Sequence, residues 1–154
     1  DIGVVQACAF ALGNIGSAEA INSLESLLDD PEPQVRLHSV IALGKIGGSS
    51  TVPLLKRMLT DIEPNVRWDA AIGLAKQKDS SGRSILLDLL NRKYLNSFPN
   101  IDEKEKVQVM LVAISVAHFI QNPELKTRLM DINSNENNLK IREAARIALG
   151  KFII

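Results

Sequence analysis

A chain of 154 residues whose 18 lysines and arginines are balanced by 18 aspartates and glutamates has no net charge with which to seek nucleic acid or an anionic membrane. Hydrophobic residues make up 45% and aromatic residues only 4%, so the core must come from Leu, Ile, Val and Ala, a palette suited to close-packed helices. The single cysteine, Cys8, excludes an intrachain disulfide and a thiolate-only metal centre, which fits a reducing cytoplasmic setting, and neither a membrane span nor a secretory leader is legible.

The first predicted element runs from Val4 to Gly16, with apolar residues at three- and four-residue steps and a glycine to end it. A second apolar pattern follows at Ile21, Leu24, Leu27 and Leu28. The first element then recurs 31 positions later as "VRLHSVIALGKIG", from Val35 to Gly47, and again from Val66 as "VRWDAAIGLAKQK". Pro33 and Pro64 stand just ahead of these two copies, where a first helical turn has no use for the missing N–H. Gly47 closes the second copy, but Lys78 takes that place in the third, whose end should be less sharply defined. The second apolar pattern also recurs, as Val52, Leu55, Met58 and Leu59, and then as Arg83, Leu86, Leu89 and Leu90, where the first apolar position is lost.

Each unit therefore reads as helix, turn, helix, turn, and such a pair can bury its stripes only against a neighbouring pair. The column Ala11, Ala42, Gly73 and Ala148 is small in every clear copy, as close backbone approach between crossing helices requires. "NRKYLNSFPNIDEKEK", Asn91 to Lys106, breaks the period: Val107 follows Val66 by 41 residues, an excess of ten. Val107 to Ile120 reads as a further helix whose register is ambiguous by one residue. Ile141 to Lys151 is a fourth clear copy, and the chain closes on "IALGKFII". That ending reads as a piece of a longer array or a partner-dependent module, or else as a solitary capping helix that tucks Phe152, Ile153 and Ile154 underneath.

The acidic residue and proline before Val-Arg, the Ala-Leu-Gly-x-Ile-Gly phrase and the Leu-rich second helix resemble the short HEAT-like repeats of phycobilisome lyases and many bacterial proteins. The resemblance covers residues 1 to 92 and 141 to 152, and more loosely 107 to 133. It implies an all-α, right-handed α-solenoid of about four to five stacked helical pairs. The expected organisation is one repeat domain over 1–154, with repeats at about 1–30, 31–61, 62–92 and 107–133, a half-repeat at 139–154 and an insertion at 93–106. Enzymes occur among the relatives so implied. Deoxyhypusine hydroxylases of this architecture hold two irons with His-Glu pairs, but here Ser39 follows His38 and Phe119 follows His118, so that chemistry is not expected. Bilin lyases of this architecture work as paired subunits on a client cysteine, and their reactive residues form no short motif that can be matched here.

The expected function is a non-enzymatic scaffold, with no cofactor or metal, that binds a protein or peptide on a concave face lined by the second helices. A bilin-lyase-like subunit and a structural spacer within a longer multidomain protein are the alternatives. The outward positions of the second helices, Glu19, Asn22, Ser26, Pro53, Arg57, Ser84 and Asp88, are mixed in charge, without the basic stripe a nucleic-acid reader needs. Glu19, Asn22, Ser26, Arg57 and Asp88 are thus the candidate partner-binding residues. Trp68, expected to be half exposed, and Tyr94 and Phe98 in the insertion, join them as possible anchors. Arg36, Arg67 and Arg142, recurring at one position, with Asp30 and Asp61 in the turns before the first two, are read as architecture: stems packed along the stack, guanidiniums on acidic or backbone oxygens of an adjacent turn. Cys8, among Ala7, Ala9 and Phe10, is expected to be a buried inert thiol.

Overall fold

A computed structural model describes residues 2–154. The described residues form α-helices joined by short turns, without a strand, and divide into two compact units, Asp1–Gly82 and Arg83–Ile154.

In the first unit, α1 (Ile2–Ile15), α3 (Pro33–Ile46) and α5 (Pro64–Lys76) pack side by side in chain order. The second helices α2 (Ala18–Ser26) and α4 (Val52–Met58) lie against them, α2 touching α1 and α3, and α4 touching α3 and α5. This is sequential stacking of helical pairs, the α-solenoid arrangement. Leu24, Leu28, Leu43, Leu55 and Leu74 are fully enclosed, each contributing about 2 kcal/mol by leaving water. The small residues act where first helices meet: a Cβ built on Gly13 would lie 3.5 Å from Cα of Ala42, and one on Gly44 only 3.2 Å from Cα of Gly73. The crossing is thus made by the Gly of one Ala-Leu-Gly phrase against the first position of the next.

Helix boundaries follow from local chemistry. Pro33 and Pro64 are the first residues of α3 and α5. The turn before each is drawn in by an aspartate, Asp30 accepting from the Glu32 N–H at 2.9 Å and Asp61 from the Glu63 N–H at 2.8 Å. Gly16 and Gly47 leave α1 and α3 with positive φ, +64° and +69°. Lys78 does the same after α5 at φ 62°, and the Asp79 N–H donates to the Leu74 carbonyl at 3.0 Å. The end expected to be loose is in fact closed by a Schellman bond, a lysine accepting the backbone strain that glycine avoids.

In the second unit, α6 (Arg83–Leu89) packs against α7 (Arg92–Asn96), α8 (Glu103–Ala117) and α9 (Pro123–Asn135), and α10 (Leu139–Leu149) packs on α8 and α9. Leu86, Leu89, Leu95, Met110, Ile114, Leu125, Leu129 and Ile141 fill its interior. Residues 93–106 hold most of α7, a short turn and the start of α8. Asp102 accepts from the Glu105 N–H at 2.8 Å while Glu105 accepts from the Asp102 N–H at 2.9 Å, a complete capping box that starts α8 four residues before the apolar pattern does. After α10, Phe152 is half-buried, but Ile153 and Ile154 are exposed instead of tucked under the helix. Gln121 holds that tail, donating to the Lys151 carbonyl at 3.0 Å and accepting from the Ile153 N–H at 2.9 Å. No helix of the described residues is long and apolar enough to cross a membrane.

Candidate protein-binding surfaces

The repeated arginines and aspartates build an internal ladder. Arg36 grips Asp61 with two bonds, Nε to Oδ2 at 2.8 Å and Nη2 to Oδ1 at 2.9 Å, and its Nη1 donates to the Asp30 carbonyl at 2.9 Å. Both side chains are at most one tenth exposed, and the Arg36 bond holds the Asp61 carboxyl below the usual aspartate range. Arg67 repeats the backbone half of the motif, donating to the Asp61 and Ile62 carbonyls at 2.7 and 3.0 Å. Arg142 makes one bond of this kind, to the Asn133 carbonyl at 3.3 Å. These groups are consumed in holding turns together and have little capacity left for a ligand.

The outward positions of the second helices are free for other work. Glu19, Asn22 and Ser26 are exposed on α2, and Arg57 is exposed on α4, 3.4 Å from Asp29 just beyond the end of α2. In the second unit Asp88 is exposed on α6 beside Leu87. Leu87 lines an open groove of about 680 Å³ with Pro123, Glu124, Thr127, Arg128 and Asp131 of α9. Apolar Leu87 and Pro123 lie there among charges of both signs, and the volume is that of an ordinary ligand cleft. Sequence reasoning missed the α9 members because the insertion hides the register of the fourth pair. The visible signal was the polar run Glu124, Thr127, Arg128, Asp131 at helical spacing.

Trp68, expected to be half exposed, is buried at 4% exposure. Its column holds exposed Gln6 in α1, but α5 is covered by α3, α4 and the 3₁₀ turn Ser80–Gly82, so a position that faces water in one copy is enclosed in another. Tyr94 and Phe98 are half-buried and lie edge to face with centroids 5.1 Å apart, much of their surface spent on each other and on local packing. Cys8, expected to be buried, is exposed, because α2 and α3 cover α1 on the side that Ala9 and Gly13 face and Cys8 lies on another side.

A second surface of the first unit went unread in the 31-residue columns. Phe10, Ile41 and Ile72 form one column, with Phe10 and Ile41 exposed. Lys45 sits 4.5 Å over the Phe10 ring. Between α3 and α5 lies a groove of about 390 Å³ that contains Asp69 flanked by Lys45 and Lys76, and burial pushes the Asp69 carboxyl up to about 6, with the Lys76 charge opposing. Among the described residues no three His, Cys, Asp or Glu side chains converge as a metal site would need.

A family model described as HEAT repeats matches residues 1–75 and 26–95. No curated protein matches the chain. Among solved structures, the complex of CpcE and CpcF of phycocyanin lyase from Nostoc sp. PCC7120 is similar at 19% identity, with 96% of each chain covered and a TM-score of 0.59. Human deoxyhypusine hydroxylase in complex with glycerol is similar at 19% identity and a TM-score of 0.55; the match covers 86% of this chain and spans 43% of that one. At such identities the likeness concerns the fold, an all-α solenoid.

Proposed function

Because the chain belongs to the HEAT-repeat family, we propose that it is a non-enzymatic module that binds a protein or peptide through its second-helix face. The reading is carried by the groove that Leu87 and α9 line: an apolar strip for an anchor side chain, with Glu124, Arg128 and Asp131 to pair with a segment of mixed charge. On the first unit, taken by itself, Glu19, Asn22, Ser26 and Arg57 offer an exposed polar surface of the same class, and Asp88 neighbours Leu87 on α6. The mechanism is equilibrium binding in the cytoplasm, with no bond made or broken.

The test is affinity capture followed by quantitative titration with the wild-type chain and with Leu87→Asp and Arg128→Glu, both at non-core positions. Each change should weaken a verified partner about tenfold or more while the far-ultraviolet spectrum stays unchanged. Undiminished binding by both, with loss on Ile41→Asp, would move the site to the first-helix face.

A lyase-like subunit is a second reading, favoured by the end-to-end match with the phycocyanin lyase structure. Incubation with free bilin and a client apoprotein distinguishes the two, since chromophore transfer belongs only to the lyase.

A further inference from the structure

The groove between α6 and α9 contains a guanidinium with no oxygen to hold. Arg128 is half-buried on α9 and forms neither a hydrogen bond nor an ion pair. Among the described residues every other arginine has an oxygen partner, a carboxylate in five cases and a backbone carbonyl for Arg67 and Arg142. The acids nearest Arg128 along the helix are engaged elsewhere. Glu124, one turn before it, faces Arg83 at 3.8 Å, and Asp131 accepts from the Asn135 side-chain amide at 2.7 Å. A guanidinium half withdrawn from water without an acceptor is costly, and a bound carboxylate would relieve that cost.

Two hollows meet at this side chain, since Arg128 and Asp131 line both. The wider, of about 680 Å³, carries Leu87 and Pro123. The narrower, of about 230 Å³, continues along α9 past Asn91 over buried Leu90, Met110 and Ile132. Arg92 also lines the narrower hollow but is spent, because Glu136 takes two of its N–H groups and Glu103 a third. Asn91 accepts the Lys93 N–H on Oδ1 at 3.0 Å, which leaves its amide NH₂ as a further donor. Free donors thus outnumber free acceptors where the hollows join.

We propose that Arg128 receives a single carboxylate, the side chain of an Asp or Glu two residues from the apolar anchor of the protein segment that fills this groove. The inference rests on the reading of the groove as the partner site and adds what the partner must carry. A guanidinium binds a carboxylate through two parallel N–H bonds, and the partly closed site strengthens them. The spacing follows from α9. Five residues separate Pro123 from Arg128, a rise of about 7.5 Å. That is roughly the length of two residues of extended chain, whose side chains at i and i+2 share a face. A run of acids fits poorly, because Asp88, Glu124 and Asp131 are exposed around the groove and repel a second carboxylate.

Random heptapeptides displayed on phage and selected on the 154-residue chain provide the probe. Enriched sequences should share one Asp or Glu two positions from a Leu, Ile, Met or Phe. As synthetic peptides they should lose about tenfold or more in affinity when that acid becomes Gln, and equally when the chain carries Arg128→Gln, the two losses not adding. Arg128→Glu should recover binding to a peptide with Lys in place of the acid. The urea midpoint of Arg128→Gln should stay put, since the side chain holds nothing within the chain. Peptides that Leu87→Asp releases but that bind equally well with Glu or Gln would overturn the carboxylate assignment and leave the groove standing as the partner site. A phosphoserine peptide that binds where its Glu counterpart does not would overturn it in favour of phosphate. Selection that enriches nothing, or only peptides that Ile41→Asp releases, would overturn both readings.

Discussion

The two units solve one electrostatic problem with opposite polarity. In the first, the turn residue is an acid, Asp61, and the base comes from a neighbouring first helix, Arg36. Thirty-one residues after Asp61 the column holds Arg92, a reversal of charge at the same step of the repeat. The second unit answers with Glu136, at the end of α9, which takes Arg92 Nε at 2.8 Å and Nη2 at 3.0 Å, while Glu103 takes its Nη1 at 2.5 Å. Bidentate guanidinium–carboxylate geometry thus survives the break in the period although neither residue stays at its expected position. What the repeat requires at its turns is an ion pair with satisfied hydrogen bonds; which side supplies the acid is open to exchange.

The comparison breaks most visibly if the pairs are deleted separately. Asp61→Ala strands the buried Arg36 guanidinium and should cost about 3–5 kcal/mol by urea unfolding. Glu136→Ala should cost only about 1–2 kcal/mol, because the Arg92 side chain is 30% exposed and keeps Glu103. Equal losses would mean that the polarity of the pair, and not its burial, sets its worth.

An effect of opposite sign, smaller than that of Asp61→Ala, belongs to Asp69, whose column is otherwise Ala7, His38 and Ala144. Its carboxyl titrates near 6 in the folded chain against 3.8 for the free group, so the folded state holds the extra proton between those values. Stability from this group therefore falls as pH rises from 3.8 to about 6. Asp69→Asn should stabilise the protein by about 1–3 kcal/mol at neutral pH and flatten that slope. Asp61 runs the other way: its depressed value lends stability above the ordinary aspartate range, lost as acid takes the pH through its folded pKa. An Asp69→Asn protein with an unchanged midpoint at pH 7 would show that the groove is wetter than its geometry implies.

The finest adjustment is Lys78→Gly. Lys78 holds φ 62° where the two earlier copies use Gly16 and Gly47. Glycine there should add about 1 kcal/mol, read as a higher thermal midpoint. The second unit has its own left-handed residue, Gln121 at φ 51°, whose side chain binds the Lys151 carbonyl and the Ile153 N–H, so the same exchange there should give no gain.

The repeat was legible because its signals are local and redundant: Pro33 and Pro64 start helices, glycines end them, and Leu24, Leu55 and Leu86 recur at the depth of the core. Exposure was less legible, because it depends on how many neighbours a helix has. Cys8 and Trp68 were misjudged in opposite directions for that one reason: α1 is covered on two sides, by α2 and α3, whereas α5 is enclosed almost all round. The groove at Leu87 lay outside what periodicity could find, since its α9 half follows an insertion that shifts the count. Arg92 was visible in the sequence as a broken column, but its partner Glu136, 44 residues on, is a tertiary fact.

The self-contained start of α8 bears on how such a chain can change over time. Asp102 and Glu105 nucleate the helix from within its own first turn, so its position along the backbone owes nothing to the residues just upstream. Lengthening the exposed turn at Pro99 and Asn100 would cost only the logarithm of loop length, leaving Phe98 on Tyr94 and the packing of α8, α9 and α10 undisturbed. The join between α7 and α8 is therefore a splice point, where new sequence can be tried at almost no structural risk.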